Sequence, residues 1–219
     1  MALLRACPIF SGLGEKGLEE LRTLVYPIRF QAGKIIIQEK EIPGALYIIQ
    51  SGRVKILMSS ESGKEYIIDT RRSGETFNDL AALDGQPSFA SAQAIEDTTV
   101  LAIKSEDLIN LVSRNPALIS RIACVAGDRL RNAYTNLISL AVETVDQRLI
   151  KILLLLSSKY GNTLFFSRAE IAEMAGTTVE TATRVLTKLE DSGLVSRKRG
   201  EISLLDKNQL RSLSGQTLQ

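Results

Sequence analysis

The sequence predicts an α+β fold in three parts: a roll of short strands, one long helix, and a terminal unit of short helices closed by a hairpin. Three observations carry this reading. Between about Phe30 and Ile103 short apolar runs alternate with glycines; from Asn115-Pro116 to about Glu143 no proline interrupts a helical pattern; and from Val145 onward helix-start and helix-stop signals come in quick succession. The expected boundaries are 1–112 for the roll, 113–144 for the long helix and 145–219 for the terminal unit.

The strand runs are KIIIQ, ALYIIQ, RVKILM, EYIIDT and VLAI, with Gly33, Gly44, Gly52, Gly63, Gly74 and Gly85 at or near the breaks. Many short strands separated by turn residues indicate a barrel, roll or sandwich. Ahead of them, Glu15 to Val25 places Leu18, Leu21, Leu24 and Val25 on one side of a short cap helix. At Ser105 the pattern turns helical, with Ser105 as the expected N-cap of SEDLINLV.

The long helix carries a seam. Ile119, Ala126, Ala133 and Leu140 form one set of heptad positions, and Ala123, Leu130, Leu137 and Thr144 the other. Only the last is polar. An apolar stripe at alternating spacings of three and four predicts a coiled-coil partner, here a second copy of the chain. A helix packed on its own domain would also need an apolar stripe, but the narrowness of the seam and its small alanines favour dimerisation.

The terminal unit begins with the helix VDQRLIKILLLLSSKY and a turn at Gly161-Asn162. Ser167 and Glu170 then fit a capping box, opening a helix with Ile171, Met174 and Ala175 on its apolar face and Gly176 at its end. Thr177 and Glu180 repeat the capping-box spacing, so a second helix is expected from Thr177. Its inward residues are Ala182, Val185, Leu186 and Leu189, and Glu180, Thr183, Arg184, Thr187 and Lys188 share the opposite face. Ser192-Gly193 stops it. LVSRKRGEISLL reads as a β-hairpin with a basic tip at Arg197, Lys198 and Arg199. Two short helices joined at a glycine and followed by a basic hairpin form a winged helix-turn-helix, a DNA-reading arrangement. Arg184 can donate two hydrogen bonds to guanine and Glu180 can accept from cytosine. Standing four residues apart, they share one helical face. The competing reading is local: Glu180 as a cap, or Glu180–Arg184 as an i,i+4 ion pair. Arg168, at a helix start, is a phosphate contact candidate, and Thr177, Thr178 and Val179 at the start of the second helix are further DNA-contact candidates.

Composition narrows the alternatives. The chain of 219 residues carries a net charge of +2, with 11 Lys and Arg against 8 Asp and Glu from Val145 onward and 16 against 17 before it. The sign suits a terminal unit facing phosphate. No apolar run approaches the ~20 residues that span a bilayer, and the longest, Leu149 to Leu156, is broken by Lys151. The N-terminal MALLRACPIF has no signal-peptide core. Cys7 and Cys124 make no metal-binding pattern, and a reducing cytoplasm is the expected location. The sequence contains no histidine, which excludes His-based catalysis, His-ligated zinc and His-ligated haem. With no phosphate-binding glycine loop and no paired catalytic carboxylates, an enzyme is not expected.

The stretch GTTVETATRVLTKLEDSGLV resembles the recognition segment of the CRP/FNR superfamily of bacterial transcription regulators, in which a Glu and, four residues on, an Arg contact a TGA-type half-site core. Val179 before Glu180 and Thr183 before Arg184 are closer to FNR-like members, with Val and Ser there, than to the cyclic AMP receptor protein, which has Arg in place of Val179. The resemblance implies a TTGA-like palindrome, a homodimer, double-stranded DNA and RNA polymerase as partners. PGALYIIQSGRVKILMSSESGKEYIIDTRRSGETF is similar to the cyclic-nucleotide-binding β-roll, a double-stranded β-helix. In cAMP-binding members a Gly-Glu-Leu segment binds ribose and an Arg-Ser pair binds the cyclic phosphate. Here the first matches Asn78-Asp79-Leu80, after Phe77, and the second falls on Ser88, Phe89 and Ala90 without its Arg. The Thr-Ser pair that meets adenine aligns with Ala133-Tyr134. The resemblance therefore implies a roll whose effector is not cAMP, with Leu130, Ala133, Tyr134 and Leu137 as the helix surface facing the effector. Two cysteines cannot supply the four of an FNR-type iron–sulfur cluster. GETFNDLAALDGQPSFASAQA resembles a segment of DNR-type regulators associated with nitric oxide, so haem stays open, with Cys7, Cys124, a Met, a Tyr or the amino terminus as the available ligands. Cys124 is expected to be a buried small hydrophobe rather than a ligand. A small apolar or anionic metabolite as the effector, and a member that binds DNA without any effector, also stay open.

Overall fold

The computed structural model describes residues 1–42, 44–61, 63 and 65–215, which form two compact units, the first ending at Asn132 and the second beginning at Ala133. The first unit runs α1 (Ala2–Ala6), α2 (Glu15–Leu24), β1 (Tyr26–Phe30), β2 (Ile35–Ile37), β3 (Ala45–Ser51), β4 (Arg53–Ser59), β5 (Glu65–Arg72), β6 (Thr76–Phe77), α3 (Asp79–Asp84), β7 (Ser91–Ala94), β8 (Thr98–Lys104), α4 (Ser105–Arg114) and the start of α5 (Ala117–Val142). The strands make two antiparallel sheets in the orders β1-β8-β3-β6 and β2-β7-β4-β5.

The sheets face each other across a small apolar layer of Ile37, Ile49, Val54, Phe77, Ala92 and Val100, with Tyr47 and Ile56 packed against it. Tyr47 stacks on Phe77 at 5.1 Å between ring centroids. The other side of the first sheet is also covered. Leu46, Ile48 and Ile103 meet Leu4, Cys7, Leu18, Leu21, Leu108, Leu111 and Leu118 of the helices. A strand buried on both faces reads as a continuous apolar run, which is why ALYII lacks alternation.

The strands begin earlier than the sequence reading places them. β1 starts at Tyr26 and contains Pro27, and it lies at the edge of its sheet, where a missing N–H is tolerated. β7, with the sequence SAQA, carries no β-branched residue; its Ala92 and Ala94 are buried small residues opposite Ile56 and Val54. Ser105 is not a cap. Lys104 takes the N-cap position and Ser105 is the first helical residue. Its N–H donates to the Gly44 carbonyl at 2.9 Å, and its hydroxyl is buried without a hydrogen-bond partner among the described residues.

The second unit comprises the end of α5, then α6 (Val145–Tyr160), β9 (Thr163–Leu164), α7 (Arg168–Ala175), α8 (Val179–Asp191), β10 (Val195–Lys198), β11 (Glu201–Leu204) and α9 (Lys207–Leu213), with the strands in the order β10-β11-β9. Its core is Leu149, Leu153 and Leu156 of α6 against Ile171, Ala175, Leu186 and Leu189, all buried. No described helix is long and apolar enough to cross a membrane.

Cys124 departs from expectation: it is exposed in this chain, whereas Cys7 is buried. The inward residues of α5 are Leu118, Ile122 and Val125, and a neighbour in sequence lies about 100° around the helix from them.

Gly52 separates β3 from β4 at φ +88°, where an added Cβ would lie 2.4 Å from Thr98 Oγ1 and 2.7 Å from the Asp97 carbonyl oxygen; Gly33, at φ +80°, has nothing within 4 Å of the same point. Gly33→Ala is expected to cost about 1–2 kcal/mol from backbone conformation alone. Gly52→Ala adds a steric clash and should cost roughly 2–5 kcal/mol, a ranking that urea unfolding of the two variants checks.

Candidate nucleic-acid interface and sensor site

α7 and α8 are positioned by their caps. Ser167 and Glu170 make the full capping box: the Glu170 N–H donates to Ser167 Oγ at 3.2 Å and the Ser167 N–H to Glu170 Oε2 at 2.7 Å. Gly176 ends α7 in the left-handed region at φ +60°. The next cap falls one residue later than the sequence spacing indicates. The Thr177 N–H donates to the Ala172 carbonyl, closing the turn at Gly176. Thr178 then becomes the N-cap, accepting from the Thr181 N–H at 3.2 Å.

That shift removes the capping role that the sequence spacing offers Glu180. Glu180 does not cap α8. Both side chains are exposed, and among the described residues neither has a hydrogen-bond or ion-pair partner. Ala182, Val185, Leu186 and Leu189 are buried beneath them, so the helix has the two faces its sequence predicts. Val179 and Thr178 are exposed at the start of α8, and Thr183 is half-buried with its hydroxyl donating to the Val179 carbonyl. Arg168 is exposed at the start of α7. Lys188 lies 3.5 Å from Asp146 of α6.

The wing is a two-residue hairpin, with Lys198 paired to Glu201 across Arg199-Gly200. Lys198 and Arg199 are exposed at its tip. Arg197 belongs to the strand and is held against α8: its Nε and Nη2 donate to Glu190 Oε2 at 2.8 and 2.5 Å, Nη2 also reaches Thr187 Oγ1 at 3.0 Å, and its backbone N–H donates to Glu190 Oε1. These hydrogen bonds hold the Glu190 carboxyl below its ordinary range. Sequence reasoning missed Glu190, although its seven-residue spacing from Arg197 spans the Ser192-Gly193 stop. A second fastening is Arg148 of α6. Its guanidinium donates to the Glu143 carbonyl at 2.8 Å and to the Ala175 carbonyl at 3.0 Å, while Lys151 and Ser139 hold the Glu143 carboxylate.

In the first unit, the segment expected to meet an effector is built differently from a ribose–phosphate cradle. Asp79 is buried, and Arg129 of α5 donates to its two oxygens at 2.5 and 2.6 Å and to the Thr76 carbonyl at 3.0 Å. Thr76 Oγ1 donates to the same carboxylate at 3.2 Å. Arg129 was not singled out from sequence; its place one turn after Val125 on the inward side of α5 is the signal that could have found it. Asn78 sits at φ +61° with Nδ2 donating to the Ala45 carbonyl, and its Oδ1 is buried without a partner among the described residues. Ser88 is buried and donates to the Ala90 carbonyl at 2.8 Å. Phe77 and Ala90 are buried, whereas Leu80 and Phe89 are exposed. On α5, Leu130, Ala133, Tyr134 and Leu137 are all exposed. Burial pushes the Cys7 thiol up to about 11.

The first unit is a roll of two antiparallel sheets followed by a long helix, and the second a capped helix-turn-helix with a basic wing, the arrangement of a DNA-binding unit. Residues 27–115 match the cyclic nucleotide-binding domain family and residues 147–213 the Crp-like helix-turn-helix domain family. The cyclic AMP receptor protein of Thermus thermophilus is 31% identical over 202 residues, covering 92% of this chain and 94% of that protein. The transcriptional activator Anr of Pseudomonas aeruginosa is 28% identical, covering 85% and 80%. The solved structure of FixK2 from Bradyrhizobium japonicum superposes with a TM-score of 0.79 at 22% identity over 86% of this chain and 96% of that one, which speaks for the fold. The chain belongs to the CRP/FNR superfamily and is a DNA-binding transcription regulator of that type.

The Glu190–Arg197 contact gives a pH signature. A carboxyl lowered in the folded state stabilises it above its ordinary value of 4.5, and that contribution is lost as pH falls through the lowered value. Urea unfolding of the wild type and Glu190→Gln at a series of pH values should show a constant difference above 4.5 that shrinks below it.

Proposed function

We propose that the chain works as a cytoplasmic homodimer that reads a TTGA-like palindrome with α8 under the control of an effector other than cAMP, and that it acts on transcription with RNA polymerase as its partner. The observation that carries this reading is the pair Glu180 and Arg184: exposed, one turn apart, and free of partners among the described residues beside a basic wing. A guanidinium left unpaired on a helix surface is available for bidentate contact with guanine. Arg168, Lys198 and Arg199 then serve as phosphate contacts, with Thr177, Thr178, Val179, Thr183, Lys188 and Arg197 shaping the approach. FNR-like half-site preference rests on Val179 and Thr183, since relatives from both branches match over most of the chain.

Dimerisation is supported by the seam. Ile119, Leu130, Leu137 and Leu140 keep 57%, 53%, 62% and 40% of their exposure, Ala123 and Ala133 are exposed and Ala126 is half-buried. So long an apolar stripe on a soluble helix calls for a cover. The cAMP reading is opposed by the loss of an Arg at Ser88 and by Arg129, which already satisfies the carboxylate aligned with the ribose-binding Glu. Haem is weakened as a cofactor by Cys7, a protonated thiol in the core; an absorption spectrum during haem titration, with and without nitric oxide, would show a saturable Soret band if another ligand holds it.

Arg184→Ala should weaken binding to a TTGA palindrome by roughly 1–3 kcal/mol while leaving random duplex nearly unchanged. Equal loss on both duplexes in a gel shift would remove the recognition role. Leu137→Asp should convert the dimer to monomer in sedimentation; a dimeric variant would remove the seam.

A further inference from the structure

The inner face of the second sheet carries two charges in an otherwise apolar layer. Val54 of β4 stands opposite Arg71 of β5, and Ile56 opposite Asp69. Directly opposed residues project from the same face of a sheet. Val54 is part of the apolar layer between the sheets and Ile56 packs against it, so Arg71 and Asp69 face that layer too. The Arg71 side chain keeps 15% of its exposure and Asp69 35%. Tyr47 and Ile56 on the same layer are also only half-buried, so solvent reaches this part of the roll.

Arg71 is incompletely matched. Its Nη1 lies 2.8 Å from Asp69 Oδ2, whereas its Nε is buried and has no hydrogen-bond partner among the described residues. Buried N–H donors without an acceptor are rare in native proteins. A guanidinium offers a planar fork, and with Asp69 at Nη1 the edge formed by Nε and Nη2 remains for a second oxyanion.

We propose that Arg71 is the anion-binding group of the effector site and that the effector is a small organic carboxylate, bound bidentately by Nε and Nη2. This rests on the reading of the roll as the effector domain. The cation is thereby moved from the loop position now occupied by Ser88 to strand β5. The carboxylate class follows from Asp69. A fixed negative charge beside the guanidinium repels charge brought to the fork in a half-buried site, which penalises a phosphate dianion, with both charges on one group, more than a carboxylate group, which brings one charge there even when the ligand carries a second carboxylate at its far end.

The test is a thermal and calorimetric titration of the full chain with succinate, inorganic phosphate and cyclic AMP, on the wild type, Arg71→Gln and Arg71→Lys. Succinate should raise the unfolding midpoint of the wild type. Its affinity should fall by roughly tenfold or more in Arg71→Gln, with an intermediate loss in Arg71→Lys, which keeps the charge but not the fork. Circular dichroism establishes that the variants fold. Absence of any succinate effect on the wild type, an effect unchanged in folded Arg71→Gln, or a preference for phosphate or cyclic AMP would each overturn the proposal. A gel shift on the TTGA palindrome run in parallel separates the two readings. Palindrome binding without an Arg71-dependent succinate effect sinks the anion site alone; an Arg71-dependent effect without palindrome binding upholds the site and sinks the DNA reading.

Discussion

α5 must satisfy two different surfaces with one set of side chains, and much of the structure follows from how it does so. Leu118, Ile122 and Val125 bury against the roll and its helices, and Arg129, on the same side, closes on Asp79 and Thr76. The residues one position along, starting with Ile119, Ala123 and Ala126, turn about 100° away and leave an apolar stripe uncovered. A helix with only the first face would be an ordinary domain element. The second face is an exposed apolar stripe, and it is the reason a dimer is proposed. Arg129 also explains why the sensor differs from a nucleotide cradle: a buried carboxylate already paired with a guanidinium has little left to offer a ribose hydroxyl, and breaking that pair leaves a charge uncompensated.

In the DNA-reading unit, charge is sorted by pairing. Arg148, Lys151 and Arg197 are committed to internal carbonyls and carboxylates. Their contacts tie the start of α6 to the turn after α7, and the wing to α8. Glu180, Arg184, Arg168, Lys198 and Arg199 are left without internal partners among the described residues. Internal pairing supplies rigidity and leaves the other charges uncommitted, so the outer face of α8 is held in shape without spending the side chains proposed to read DNA. Local pairing accounts for Arg197 better than a place at the wing tip does.

Element types were legible where periodicity was strong. The α6 segment, the buried face of α8 and the Ser167–Glu170 box follow directly from spacing and cap chemistry. The sequence failed where tertiary contacts override local signals. Ser105 resembles a cap until the β3–β8 ladder takes its N–H, and Thr177 has cap spacing until the Gly176 turn takes its N–H. SAQA has no strand propensity because its alanines are chosen to fit a narrow layer. Cys124 depends on which side of α5 faces the roll, and apolar stripes on both sides hide that choice. Long-range pairs such as Arg129–Asp79 have no sequence signature at all, and the two-residue spacing of Asp69 and Arg71 puts them on one face of a strand without telling that it is the inner one. The elements that carry the candidate DNA face, one helix and one hairpin, are contiguous in sequence and could be read from it, whereas contacts that join β6, α3 and α5 link residues far apart in the chain and could not be.

Reading a palindrome as proposed requires geometry that only a two-fold assembly can supply. Quantitative footprinting on palindromes with half-sites one helical turn apart, about 34 Å centre to centre, and on the same palindrome with half a turn inserted, tests it. A symmetric footprint over both half-sites that collapses on insertion is the result expected of two α8 helices held at a fixed separation. Equal occupancy of both duplexes would mean that each half-site is read independently, and would contradict a dimer built on α5.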